Sequence, residues 1–269
     1  IVMATLITRP VRHLAAAAAR IGKGDLDSAV TRTSGDEIGF LATTMEEMRR
    51  DLHHRDQRMQ MMLSGIAHEI RNPLGGMELY AGILRDELSP DDERRDHVVR
   101  IERQLSTLEA VVSEFLAYAR RPRPELSPVS LAAVAREVAD LCTADAEAAE
   151  VTLEVRGETS AACLGDKGQL ERMLLNLVKN AVQAASAGTV VDIAITGKDA
   201  RVRVAVTNRG ADIPADIEGR MFEPFFTTRE KGTGLGLAFV REIAADHGGT
   251  IAVTSADGTT TFAIDFPKA

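Results

Sequence analysis

Apolar positions along the first half of the chain fall into helical stripes. Leu63, Ile66, Ile70, Leu74, Met77, Ala81, Leu84 and Leu88 recur at steps of three and four, the spacing of an amphipathic helix with a coiled-coil-like seam. Upstream, Val11, Leu14, Ala18 and Ile21 form a shorter stripe closed by Gly22-Lys23-Gly24-Asp25. Ile38, Leu41, Met45, Met48 and Leu52 form another, which starts near Gly35-Asp36-Glu37 and steps on through Met59 and Met62 into the long seam. After Leu88, Ser89-Pro90-Asp91-Asp92 predicts a helix start, with Ser89 as cap and Pro90 at the first helical position. Val98, Ile101, Leu105, Leu108, Val112 and Phe115 line one face of that helix. Two amphipathic helices joined by a short turn predict an antiparallel hairpin with a half-exposed seam, and pairing with a second copy closes a four-helix bundle. A homodimer is expected.

Arg120-Arg121-Pro122-Arg123-Pro124, followed by Pro128, cannot continue a helix and reads as a stiff linker over 121–129. Beyond it the period changes. A helix over 131–149, strands over 151–155 and 161–164, and a helix from Lys167 capped by Asp166 are predicted. Strands over 190–196 and 202–208, a helix over 235–247 and a hairpin of 250–254 with 259–266, turned by Asp257-Gly258, follow. The expected fold of this half is an α/β sandwich with one sheet and helices on one face.

A chain of 269 residues with this change of pattern is multidomain. Aromatics are only 4% and Trp is absent, which favours helices packed by aliphatic side chains over an all-β core. The net charge of -8 excludes a broad nucleic-acid footprint. Cys142 and Cys163 have no metal-ligand spacing and read as reduced core residues. The apolar run over 1–8 is too short for a membrane span, which needs about 20 residues. With no Met at position 1 and with Arg9 and Arg12 following, that run is expected to be the inner end of a transmembrane helix, and the rest its cytoplasmic portion.

Four stretches carry chemistry. His68 lies two residues past Ile66, pointing away from the seam, beside Glu69; an imidazole with a carboxylate neighbour is suited to nucleophilic attack or proton transfer. Pro73 leaves the Glu69 carbonyl without its helical donor and predicts a bend one turn past His68. In Asn176-Leu177-Val178-Lys179-Asn180-Ala181, the two asparagines share a face one turn apart, and amide oxygens are hard neutral ligands suited to Mg²⁺. Lys231-Gly232-Thr233-Gly234-Leu235-Gly236-Leu237 opens a helix, where glycines let backbone N–H groups approach phosphate oxygens. No strand directly precedes it, so the dinucleotide-binding reading does not fit. Val206-Thr207-Asn208-Arg209-Gly210-Ala211-Asp212-Ile213-Pro214 is a strand end followed by a turn.

His68-Glu69-Ile70-Arg71-Asn72-Pro73-Leu74 resembles, without mismatch, the phosphoacceptor box His-Glu-x-x-Asn-Pro-Leu of sensor histidine kinases. Pro10, Leu14, Gly24-Asp25-Leu26 and Asp36-Glu37-Ile38-Gly39 resemble a HAMP linker. The order of Asn180, the Asn208 turn, Phe222-Glu223-Pro224-Phe225-Phe226 and Gly232-x-Gly-x-Gly resembles the ATP-binding domain shared by histidine kinases and gyrase-type ATPases. The resemblance covers 10–266. It implies a membrane-proximal end over 1–8, a parallel HAMP coiled coil over 9–54, a dimeric hairpin over 55–120 and a catalytic domain over 130–269. It further implies that ATP is held by Asn176, Lys179, Asn180, Asn208, Gly210, Lys231, Gly232, Thr233, Gly234, Leu235 and Gly236, with Mg²⁺ on Asn180. His68 is then phosphorylated with help from Glu69, and the phosphoryl group passes to an Asp of a response regulator receiver domain. Asn72 matches the residue that orients water for dephosphorylation of the regulator.

One turn departs from the family. Asn208 stands where an Asp accepts a hydrogen bond from the adenine amino group, and Asp212 stands in the place of the second Gly of Asp-x-Gly-x-Gly. Loss of a charge-assisted bond costs about 1 kcal/mol, so weakened rather than absent ATP binding is expected. The alternative is a nucleotide-sensing pseudokinase or a phosphatase-biased signalling protein.

Overall fold

The computed structural model describes residues 7–22, 24–32, 34–119, 122–157, 162–229 and 232–269. Lys231, Arg120, Arg121, Ala161, Lys23 and most of the 1–8 run therefore lie outside the described residues. The fold comprises two compact units, with residues up to 112 in the first and 113–269 in the second.

In the first unit, α1 (Arg9–Gly22) is followed by α2 (Glu37–Glu87) and by α3 (Arg94–Ala119), whose last turns, from Ser113, belong to the second unit. Asp36 caps α2, its carboxylate accepting from the N–H groups of Ile38 and Gly39 at 3.1 and 3.2 Å. Gly39 is required there because a Cβ would lie 1.9 Å from the Ser34 carbonyl oxygen. The face α1 buries is Leu14, Ala17 and Ile21, so Ala17 replaces the expected Ala18: positions 14, 17 and 21 turn together toward Val30 and Ala42. Leu41, Met48 and Leu52 of the second stripe stay exposed on the single chain, while Ile38, Ala42 and Met45 pack inward.

The connector between α1 and α2 is pinned by an ion pair. Glu46 accepts from the Val30 N–H at 2.8 Å and from Arg49 Nε and Nη2, both at 2.8 Å. Arg49, only 8% exposed, also donates to the Leu26 carbonyl. The Arg49 guanidinium foremost, then the Val30 N–H, hold the Glu46 carboxyl down at about 2, from an ordinary 4.5. Because the folded value lies below the unfolded one, this contribution is present above about pH 4.5 and drains as pH falls toward 2. The Val30 amide is expected to lose hydrogen-exchange protection over that window. In Glu46→Gln at neutral pH it should lose roughly 2 kcal/mol of local opening free energy, since Arg49 is left half-paired. Unchanged protection in that variant would contradict the role given to the pair.

α2 runs unbroken for 51 residues and continues through Pro73. The hairpin it forms with α3 buries Leu74, Ala81, Val98 and Leu105, with Arg85 bidentate to Glu102 at 2.9 and 3.0 Å. Ser89-Pro90-Asp91-Asp92 forms the turn rather than the helix start. The Asp92 N–H donates to the Ser89 carbonyl at 3.1 Å, and the Asp92 carboxylate accepts the Arg94 N–H at 2.9 Å, so Asp92 caps α3 three residues later than expected. Ile66, Ile70, Met77, Leu84, Ile101 and Leu108 remain exposed on the single chain, as an unpaired hairpin requires.

The second unit continues through β1 (Ser127–Ser130), α4 (Leu131–Leu141), α5 (Thr143–Ala148), β2 (Thr152–Gly157), β3 (Ala162–Gly165) and α6 (Lys167–Ala184). It ends with β4 (Val190–Lys198), β5 (Arg201–Arg209), α7 (Ala215–Glu218), α8 (Gly236–Asp246), β6 (Thr250–Ala256) and β7 (Thr259–Pro267). The helix expected over 131–149 is two helices, broken at Cys142. The single sheet expected is also two. A mixed sheet has the order β2-β4-β5-β7-β6, while β1, drawn from the supposed linker, pairs antiparallel with β3. Pro128 is tolerated because β1 has a neighbour on one side only. Asp166 caps α6 by accepting from Gln169 N–H at 3.0 Å, as read from the sequence.

One core joins the layers. Val202, Val204 and Val206 of β5 and Ile264 and Phe266 of β7 are fully buried, as are Val134 and Val138 of α4, Leu170, Leu174 and Leu177 of α6 and Val240 of α8. Alternating β5 residues such as Arg201 and Arg203 face outward, so the helices cover one face of the sheet. Cys142 and Cys163 are free and buried here, and burial pushes the Cys163 thiol up to about 11.

Candidate functional site

The edge of this core between α6, α8 and the end of β5 opens into a cavity of about 320 Å³. α6 places its apolar stripe inward, which rotates Asn176, Lys179, Asn180 and Gln183 to the cavity wall. Asn176 Nδ2 donates back to the Arg172 carbonyl at 3.1 Å, leaving Oδ1 beside Gly236. A Cβ on Gly236 would stand 3.3 Å from Asn176 Oδ1 and 3.9 Å from Asn180 Nδ2, so glycine at the first position of α8 keeps the gap between the asparagines open.

Gly232, Thr233, Gly234 and Gly236 form the facing wall. Gly234 has φ +70°, and its carbonyl accepts the Phe225 N–H at 3.0 Å, folding the glycine-rich segment against Phe225-Phe226. Leu235 is wholly buried and absent from the lining, so it anchors the segment instead of meeting a ligand with its side chain. The Thr233 hydroxyl donates to Glu114, near the end of α3. Phe115 packs 5.8 Å from Phe225, and Tyr118 edge-on at 5.3 Å from Phe239.

Arg229 crosses the mouth. Its Nη1 donates to Asn180 Oδ1 at 2.9 Å and to Gln183 Oε1, and its Nη2 donates to the Asn180 carbonyl at 3.2 Å. Burial pulls the pKa of this guanidinium down. A cation therefore stands on the oxygen expected to meet Mg²⁺, and Asn180 Oδ1 is presented toward the cavity for a positive partner.

The opposite end is apolar: Ile213, Ile217, Met221 and Phe262 enclose it. Asn208, at the end of β5 and 2% exposed, reaches this end, and its Nδ2 is buried without a hydrogen-bond partner among the described residues. Thr260 lies directly across the β5–β7 ladder from it and shares a 2.8 Å hydrogen bond with Ser255. Gly210 does not line the cavity. Its role is close approach, since a Cβ would lie 2.0 Å from the Ala184 carbonyl oxygen. The displaced residue Asp212 is not in a left-handed conformation, and its carboxylate accepts the Gly258 N–H at 2.9 Å, tying the turn to the β6–β7 hairpin. The departure from Asp-x-Gly-x-Gly is therefore accommodated without backbone strain.

In the first unit, His68, Glu69 and Asn72 are all exposed on α2, between buried Ala67 and Leu74. Glu114, Arg229 and Thr260 were not legible as site residues. Thr260 is found only once the hairpin register is known, and the other two carry no motif.

Three family matches follow the chain in order. Residues 2–54 match the HAMP domain, 58–124 the His Kinase A phospho-acceptor domain, and 165–269 the histidine kinase-, DNA gyrase B- and HSP90-like ATPases. The sensory histidine kinase/phosphatase NtrB of Rhodobacter capsulatus is 37% identical over 222 residues, which cover 77% of this chain and 62% of that protein. Among solved structures, full-length ShkA in complex with AMPPNP is 30% identical with a TM-score of 0.67, covering 78% of this chain and 46% of that one. Histidine kinase ThkA in complex with the response regulator protein TrrA is 28% identical with a TM-score of 0.59, covering 83% and 66%. The chain spans about half the length, 39% to 62%, of the curated relatives it matches. With a HAMP domain, an exposed histidine in a complete phosphoacceptor box and an ATPase fold whose asparagines and glycines converge on one cavity, the chain belongs to the sensor histidine kinases of two-component systems.

Proposed function

We propose that this chain uses ATP to phosphorylate His68 and passes the phosphoryl group to an Asp of a response regulator receiver domain. The observation that carries the reading is the cavity itself, with amide oxygens and a glycine-rich helix start at one end and an apolar, largely closed space at the other. That division suits a nucleotide: phosphates by the α8 amino end, Asn176, Lys179 and Asn180, and the base by Ile213, Met221, Phe262 and Asn208. Asn180 Oδ1, with Arg229 now standing on it, is the residue fitted to hold Mg²⁺. Bound there, the ion supplies positive charge against the phosphate oxygens. The family resemblance gives Lys231, outside the described residues, a matching role.

His68 attacks the γ-phosphorus in line: its free ring nitrogen forms the N–P bond as the bond to the β,γ-bridging oxygen breaks, and ADP leaves. Glu69, the adjacent carboxylate, orients the imidazole and takes up its proton. Asn72, on the same exposed face, orients water for dephosphorylating the regulator, which gives the chain a phosphatase activity as well. The exposed seam of the hairpin and the exposed Leu41, Met48 and Leu52 support a homodimer, with 9–54 as the HAMP linker, 55–120 as the phosphotransfer hairpin and 130–269 as the catalytic domain. Among the described residues no helix is long and apolar enough to cross a membrane; the HAMP match supports attachment to a bacterial inner membrane through a segment amino-terminal to 9.

Incubation with γ-labelled ATP and Mg²⁺ tests the reading. Label stable in alkali and lost in acid is expected, and it should vanish in His68→Gln. An equal, acid-stable label in that variant would contradict it. Asn208 in the turn is the observation on the side of the alternative, a nucleotide-sensing pseudokinase or phosphatase-biased signalling protein, and folded dimeric protein that takes no label would support that alternative instead.

A further inference from the structure

The inner end of the cavity holds two polar side chains, Asn208 and Thr260, among apolar neighbours. Both are nearly buried, at 2% and 4% exposed, and face each other across the β5–β7 ladder. Neither is committed to one hydrogen-bonding role. The Asn208 amide presents an acceptor oxygen or a donor NH₂ according to which way it is turned, and among the described residues its Nδ2 is a donor left without a partner. The Thr260 hydroxyl and its partner Ser255 can each donate or accept. Among the described residues the lining contains one carboxylate, Glu114, and that lies at the other end, bonded to Thr233. Asp212, the nearest acid in the turn, is engaged with the Gly258 N–H and lies outside the lining.

A carboxylate at position 208 would accept only, and so would select a base with an amino group at position 6. An amide there pairs with an amino group through its oxygen and with a carbonyl through its NH₂. Leaving the buried Nδ2 unmatched disfavours a base that offers no acceptor. We infer that Asn208 makes this a nucleotide site of relaxed base selectivity, one that takes 6-oxopurine triphosphates alongside ATP. The inference rests on the nucleotide reading of the cavity given above.

Inosine triphosphate is the probe, because it differs from ATP at position 6 and its adjoining ring nitrogen and adds nothing at position 2. Calorimetric titration of the full chain with Mg²⁺ and each nucleotide should give affinities for the two within about tenfold of each other. Asn208→Asp should shift the ratio toward ATP by at least about tenfold, the worth of one buried hydrogen bond. Wild-type protein that binds ATP but holds the inosine nucleotide about 10²-fold more weakly would overturn this inference and leave the nucleotide reading standing. Binding of neither nucleotide would overturn both. If Asn208→Asp does not fold, by its circular dichroism, the wild-type comparison alone decides.

Discussion

Asn180→Ala is expected to lower phosphorylation of His68 by at least about 10²-fold while leaving the unit folded. Asn180 is half-buried on the polar face of α6, and none of the core-facing positions Leu174, Leu177, Val178 and Ala181 changes with it. Alanine is also the better helix former, so the unliganded melting temperature should move by only a few degrees. What disappears is an amide oxygen that already holds a cation, Arg229, at 2.9 Å. Phosphoryl transfer is mostly positioning and charge neutralisation, so the rate, rather than the fold, carries the loss. The initial rate of label incorporation at saturating MgATP measures it. A rate within about threefold of wild type would remove Asn180 from the metal role.

Gly234→Ala is expected to weaken MgATP binding by about 10- to 100-fold. The residue has φ +70°, which costs alanine about 1–2 kcal/mol, and a Cβ there would stand 2.5 Å from the Phe225 carbonyl carbon and 2.7 Å from the Phe226 nitrogen. Both obstacles are backbone, so relief requires opening the Phe225 N–H to Gly234 carbonyl bond that folds the segment. The core lies beneath Leu235 and should persist, leaving a folded protein that no longer melts later with millimolar MgATP. An undiminished thermal shift would show that the glycine-rich segment does not shape the site.

Much of this was readable from residue order, and the exceptions have physical causes. The stripes placed α2, α3 and α6 well because their helices bury one face each, and Asp257-Gly258 marked the last hairpin because both residues have positive φ, at 54° and 72°. The break at Cys142 has no Gly or Pro to mark it, and residue types alone do not say where the backbone hydrogen bonds of a helix stop. β1 was taken for linker because Pro128 argues against a strand, and only the partner β3 makes an edge position for it. The helix start at Pro90 failed because Asp92 is a second capping residue three positions on, and Asp92 is the one that engages a helical N–H. At the site, glycines and asparagines announced themselves by spacing. Arg229 and Thr260 did not, because they reach the cavity from loops and strands whose register is a property of the folded sheet. Asp212 departs from the family glycine, and its bond to the Gly258 amide, which residue order does not show, makes it a fastener of the turn.

Mapping the phosphoryl group by mass spectrometry after incubation of the full chain with MgATP, under conditions that preserve phosphohistidine, tests the central claim most directly. Modification of the peptide carrying Ser64-Gly65-Ile66-Ala67-His68-Glu69 is expected, localised to His68 and at least about 10²-fold lower in Asn180→Ala. A phosphoryl group found on a different residue, or unmodified His68 in folded, nucleotide-bound protein, would contradict it.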